Sequence, residues 1–130
     1  MSTFSSVEEA RAYFQGDRFA AEAGVSLDAL DPVTCSMVLS DRHRNANGGV
    51  MGGAIFTLAD FAFAVAVNNV HRPTVAQQVS INYLSAPKGK RLIATASCRK
   101  DGRTTCVYNI DVEDDTGRAV AQFVGTGYKL

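Results

Sequence analysis

The 130-residue chain has no tryptophan, two histidines, three prolines and three cysteines, and its 13 basic side chains equal its 13 acidic ones. Balanced charge removes the electrostatic footprint of a nucleic-acid binder. The cysteines, Cys35, Cys98 and Cys106, are odd in number and lack metal-ligand spacing. They exclude a disulfide framework and a Cys-built metal site, and read as reduced thiols within strands of a cytoplasmic protein. Met1 to Ser6 is polar and no apolar stretch follows, so no secretory signal is expected. His43 and His71 both fall in loops and read as hydrogen-bonding surface residues rather than bases. There is no repeat, linker or low-complexity tract, and the length suits one domain spanning 1–130.

What the chain does have is one long apolar run, GGAIFTLADFAFAVAVNN, from Gly52 to Asn69. It is too long for an ordinary strand and rich in alanine, so residues 52–69 are expected to form a helix. Between Ala54 and Val67 only Thr57 and Asp60 are polar, so the helix has no polar face. Such a helix either spans a membrane or is enclosed by protein. The run falls short of a typical span, and Asp60 at its centre opposes insertion, so an enclosed core helix is expected and no membrane partner. A buried carboxylate must be paired, hydrogen-bonded or protonated. The structural reading has Asp60 satisfied by Thr57 or a strand amide. The functional reading makes it a base whose proton affinity is raised by burial. Gly52-Gly53 opens the helix, where free amides and the helix dipole favour an anion or oxyanion and glycine admits a close approach.

The flanking segments complete the fold. Ser6 and Glu9 form a capping-box pattern at the start of a helical segment over about 6–22. Alternation predicts strands over 24–30 and 33–39, then a polar loop, Asp41 to Gly49. After the central helix, strands are expected over 75–84, 91–100, 103–113 and 118–128, with Asp101-Gly102 a hairpin turn. About six antiparallel strands and one fully apolar helix have one packing solution: the sheet curls around the helix. This α+β arrangement is the hotdog fold.

His43-Arg44-Asn45, Gly48 or Gly49, Met51-Gly52-Gly53, Thr57-Leu58-Ala59-Asp60 and Gly125-Thr126-Gly127-Tyr128 together resemble the PaaI-like acyl-CoA thioesterases of the hotdog superfamily. The resemblance covers almost the whole chain after the first helix. It departs at Met51, where many members carry histidine, and at Ala76, roughly where some carry a water-holding serine, a place that Gln77 or Gln78 takes. The resemblance implies hydrolysis of acyl-CoA thioesters, with Asp60 activating water or attacking directly, the Gly52 amide stabilising the oxyanion, and Asn45 orienting carbonyl or water. Met51 and Phe56, with Phe61 and Phe63, are expected to form an apolar acyl pocket, Gly53 to contact substrate, Gln77 to help hold the water, and Arg103, among a rim of basic residues, to meet coenzyme A phosphates. No metal and no separate cofactor are expected, coenzyme A entering as part of the substrate.

Asp60 lies eight residues past Gly52, about 12 Å along a helix axis. One chain's Asp60 therefore does not reach a carbonyl bound at its own Gly52, and a homodimer with two shared sites is expected. The resemblance further implies a dimer of dimers. Two rival functions are a non-catalytic acyl-CoA-binding module and an acyl-thioester dehydratase. Dehydratase chemistry calls for a histidine where Met51 stands, and binding alone does not explain Asp60.

Overall fold

The computed structural model describes residues 2–130. Two short helices, α1 (Val7–Phe14) and α2 (Arg18–Glu22), precede strands β1 (Val25–Leu30) and β2 (Val33–Val38). A single 3₁₀ turn, Asp41–His43, leads toward the long helix α3 (Gly52–Val70). Four strands follow: β3 (Thr74–Tyr83), β4 (Arg91–Asp101), β5 (Thr105–Asp114) and β6 (Ala119–Lys129). All pair antiparallel in one sheet ordered β1-β2-β4-β5-β6-β3, which leaves β1 and β3 at the edges. The sheet wraps α3, which is the hotdog fold expected from the sequence.

The N-terminal segment starts as its sequence specifies, with the Ser6 hydroxyl accepting from the Glu9 amide at 3.1 Å. The reciprocal half of the box is absent, because the Glu9 carboxylate takes the Ser5 hydroxyl instead. The expected turn between β4 and β5 slides by about two residues. Asp101 still pairs within β4, and the Gly102 amide donates to the Thr105 carbonyl at 2.8 Å.

Ten residues of α3 are buried, among them Leu58, Phe63 and Val65. The sheet comes close enough to enclose them because β6 carries glycine at two inward positions. A Cβ on Gly125 would lie 2.5 Å from the Phe63 ring, and one on Gly127 would lie 2.9 Å from Cys106 Sγ. The helix ends on Asn68, whose side chain donates to the Ala64 and Thr74 carbonyls and accepts from the Thr74 amide, tying α3 to β3.

Two expectations about α3 are corrected. At 19 residues with mean hydropathy 1.5, it is long and apolar enough to cross a membrane, so length alone does not exclude that reading. What excludes it is the sheet packed on its buried faces. Nor does one chain enclose the helix on every side. Gly53, Phe56, Thr57, Asp60 and Ala64 form a strip, at helical spacing, that stays at least partly open.

Candidate active site

Asp60 lies on that open strip. The carboxyl is half-buried and faces a cleft of about 680 Å³, whose walls include Phe56, Thr57 and Phe61 from α3 and Asp17, Arg18 and Phe19 from the start of α2. Thr57 does not satisfy it: the Thr57 hydroxyl donates to the Gly53 carbonyl at 2.8 Å, one turn back along the helix. Burial is the main cause that pushes the Asp60 carboxyl above the ordinary aspartate range, and the nearby Asp17 carboxylate adds to it. The structure thus departs from the reading of a hydrogen-bonded structural aspartate and leaves a carboxyl with raised proton affinity open to a cleft.

A second cleft of about 750 Å³ adjoins the first and shares Phe19 and Thr57 with it. Met51, Gly53, Ala54 and His43 also line this one. Here the first turn of α3 begins with no side-chain cap. The Ala54 and Ile55 amides both turn back to the Met51 carbonyl, at 3.0 and 3.3 Å. The Gly52 and Gly53 amides find no acceptor among the described residues, so they remain available at the positive end of the helix dipole.

The loop before the helix is built to hold that turn. His43 is 3 % exposed, so the expectation of a surface histidine is corrected. Its Nδ1 accepts from the Ser40 amide at 3.0 Å and its Nε2 donates to the Ala23 carbonyl at 2.7 Å, which fixes the tautomer. Its carbonyl accepts from the Met51 amide at 2.7 Å. Arg42 beside it donates to the Glu22 carbonyl at 2.8 Å. One dipeptide therefore joins the end of α2 to the start of α3. A loop position gave no hint of this burial, since the residue that covers His43 is distant in sequence.

Asn45 has its side-chain oxygen engaged, accepting from the Asn47 amide at 2.9 Å and the Gly49 amide at 3.1 Å. Two backbone donors on one atom fix which end of the amide is oxygen, and leave the Asn45 NH₂ as the outward donor. Met51 is 53 % exposed and lies over Gly53, its Cε 3.5 Å from a Cβ position there. Phe56 is half-buried and meets the Phe123 ring edge-on at 5.5 Å. Gln77 sits exposed on the edge strand β3, at the bulge between Ala76 and Gln78, and Arg103 is exposed in the β4–β5 turn. Neither lines the two clefts within one chain. Three contributors were not singled out from the sequence: Asp17, Phe19, and Tyr83, whose hydroxyl donates to the Gly52 carbonyl at 3.0 Å. Only tertiary pairing of the N-terminal segment and β3 with α3 reveals them.

A family model described as the thioesterase superfamily matches residues 47–121, from the Asn45 loop's end through α3 and most of the sheet. The chain belongs to the thioesterase superfamily. Within that superfamily, the acyl-coenzyme A thioesterase PaaI of Escherichia coli K12 is 30% identical over 126 residues, covering 95% of this chain and 90% of the relative. The solved structure of the E. coli PaaI protein, from the phenylacetic acid degradation operon, matches with a TM-score of 0.87 at 29% identity, over 95% of this chain and 91% of that one. A hypothetical thioesterase from Streptococcus pneumoniae TIGR4, solved with coenzyme A, matches with a TM-score of 0.80 at 29% identity, over 88% and 94% of the two chains. The thioesterase membership accords with the two clefts, one lined by the Asp60 carboxyl and the other by Gly53 at the start of the same helix; within one chain Gly52 and Asn45 line neither.

Proposed function

We propose that this protein hydrolyses acyl-CoA thioesters to the free acid and coenzyme A. The observation that carries the reading is Asp60, a carboxyl of raised proton affinity open to a cleft on the central helix of a thioesterase-superfamily chain. In the reaction, the thioester carbonyl oxygen docks on the Gly52 amide, with the Asn45 NH₂ orienting carbonyl or water. Asp60 takes a proton as water adds to the carbonyl carbon, and the negative charge that develops on oxygen is stabilised at the helix terminus. Collapse of the tetrahedral intermediate breaks the C–S bond. The thiolate of coenzyme A leaves and is protonated. Water is the only co-reactant. Direct attack by Asp60, through a mixed anhydride, is the variant in which the carboxylate is nucleophile rather than base.

Two copies form each site. Because α3 runs unbroken from Gly52 to Val70, Asp60 stands about 12 Å along the axis from Gly52. The open strip on α3 and the free edge of β3 support pairing with a second copy, which sets one chain's Asp60 opposite its partner's helix terminus. In that dimer, Gln77 and Arg103 become available to a neighbouring site and to coenzyme A phosphates. A dimer of dimers and a cytoplasmic location complete the proposal, the latter supported by three free cysteines.

The test is a panel of acyl-CoAs differing in chain length and aromatic character, incubated with the protein and a free-thiol reagent. Hydrolysis releases thiol in proportion to acid. Saturable binding without thiol release would instead favour the non-catalytic acyl-CoA-binding module, and hydration of an enoyl substrate without thiol release would favour the dehydratase.

A further inference from the structure

We propose that Asp17 is a positioning residue for hydrolysis: its carboxylate, which leaves its own helix uncapped and belongs to the lining of the Asp60 cleft, sets the electrostatics in which Asp60 takes the proton from water. The inference rests on the reading of Asp60 as the base.

The chain breaks between α1 and α2 so that Asp17 becomes the N-cap of α2. An aspartate there ordinarily accepts a hydrogen bond from an amide of the first turn. Asp17 makes no such bond, and its φ and ψ of −78° and 74° are not those of an extended cap. It forms no ion pair among the described residues. It lines the same cleft as Asp60 instead.

Within one chain, no described residue pairs with either carboxylate in that cleft. Arg18, the other charged lining residue among those described, forms an ion pair with neither of them. No residue of the sheet lines this cleft. In the adjoining cleft stand Glu22 and Arg42, and the Arg42 guanidinium is committed to the Glu22 carbonyl. Asp17 is exposed where it lines the cleft and Asp60 is half-buried, and like charges so placed disfavour ionisation of the more buried one. The influence runs one way: burial alone raises Asp17, while burial followed by the Asp17 charge raises Asp60.

The arrangement has a chemical use. An aspartate at its ordinary proton affinity is a weak base near neutral pH, and a raised one is better matched to accepting a proton from water. The placement is also held firmly, since Arg42 and His43 tie the end of α2 to the loop that leads into α3.

The test uses the full chain with Asp17→Asn, Asp17→Ser and Asp17→Glu. Serine keeps the capacity to cap α2 while removing the charge, so at least one neutral variant retains the fold. Two readouts are compared with wild type. One is kcat/KM against pH, on an acyl-CoA the wild type hydrolyses. The other is the carboxyl ¹³C titration of Asp60 by NMR, its signal assigned by its loss in Asp60→Asn. In the neutral variants the acidic limb and the Asp60 titration both move to lower pH. The variant-to-wild-type ratio of kcat/KM then rises at least about twofold from plateau to limb. Asp17→Glu keeps both near their wild-type positions. A limb and titration that stay in place, whether or not the rate falls, overturn the proposal and leave Asp17 a structural residue. Should the wild type release no thiol from any acyl-CoA, the hydrolase reading fails and the positioning role with it, while the Asp60 titration still separately decides whether Asp17 raises the proton affinity of Asp60.

Discussion

Tyr83 and Gly52 meet across the molecule: the Tyr83 hydroxyl, on edge strand β3, donates to the Gly52 carbonyl at 3.0 Å, in the first turn of α3. A Cβ on Gly52 would lie 3.2 Å from that same hydroxyl and ring carbon. Tyrosine and glycine are thus fitted to each other, and the residue whose amide is the proposed oxyanion donor is held through its carbonyl from outside the helix. Tyr83→Phe removes the hydrogen bond and keeps the ring. Turnover should fall several-fold with stability lowered by no more than about 1 kcal/mol, as for one exposed neutral hydrogen bond. Steady-state kinetics beside a thermal melt checks both, and an unchanged kcat/KM would show that the anchor is dispensable.

Removing the amide itself is a sharper change. Gly52 is the first helical residue after Met51, the position where proline is best tolerated, and Met51 has the extended backbone that a following proline favours. Gly52→Pro deletes the N–H, and its Cβ would stand 3.2 Å from the tip of Tyr83, the far end of a partly exposed side chain. The expected loss of turnover is at least about 10²-fold, the usual effect of losing one oxyanion donor. A folded variant with wild-type turnover would assign the oxyanion to another group.

Asp60→Asn should lower turnover by about 10²–10⁴-fold. Its effect on stability has the opposite sign. The Asp60 carboxyl is raised in the fold, so its ionised form is disfavoured there. That contribution is absent at pH below the unfolded value of about 3.8, and grows unfavourable as pH rises through the folded one. At neutral pH the Asn variant should therefore melt no lower than wild type. In wild type, kcat/KM should rise with pH along an acidic limb displaced above the ordinary aspartate range. Single turnover in H₂¹⁸O tests the nucleophile variant: label entering the Asp60 carboxyl identifies an anhydride opened at the Asp60 carbonyl, and trapping of an acylated Asp60 by a hydroxylamine quench identifies one opened at the acyl carbonyl.

Mixed subunits test the shared site. Asp60→Asn and Gly52→Pro chains, each inactive alone, are unfolded together and reassembled. In a heterodimer one site collects both defects and the other neither, so activity returns toward half of wild type. Inactive heterodimers, once their assembly is demonstrated, would mean that Asp60 and Gly52 of the same chain act together.

A second aspartate behaves oppositely to Asp60. Asp114 is buried at the β5–β6 turn, where it accepts the Thr116 hydroxyl at 2.6 Å and the amides of Lys88, Gly89, Thr116 and Arg118. The Thr116 hydroxyl, with the backbone amides behind it, holds its carboxyl well below the usual range. Stability from this group is complete above the unfolded value of about 3.8 and is lost as pH falls below it. Asp114→Asn should lower the melting temperature by several degrees at pH 7, with the gap from wild type narrowing in acid. A constant gap down to pH 2 would refute the assignment.

The contrast between these aspartates explains what was legible in sequence. The central helix, six strands and the Asp60 position follow from periodicity and from one charge in an apolar run, which are local signals. Asp114 looked like one more turn residue, because its partners come from the distant β3–β4 connection as well as its own turn. His43 looked exposed for the same reason: Ala23, the carbonyl that receives its proton, is twenty residues away. Asp17 fell unremarked inside the helical segment expected over about 6–22, and only the packing of α2 on α3 brings it to the Asp60 cleft. The open strip on α3 was hidden too, since an all-apolar helix implies enclosure without saying how many chains supply it.

Phe63 and Gly125 act as key and keyway for the central helix. The ring fills the notch where β6 has no side chain, so α3 cannot turn about its axis without forcing Phe63 out onto a neighbouring strand. Successive helical residues differ by about 100°, so a slip of one residue would swing Asp60 out of its cleft. The aim of the carboxyl is therefore set by a missing methyl group on the sheet, three residues further along the helix. A Gly125→Ala change would alter activity by re-aiming Asp60, although Gly125 lies inside the sheet and lines neither cleft.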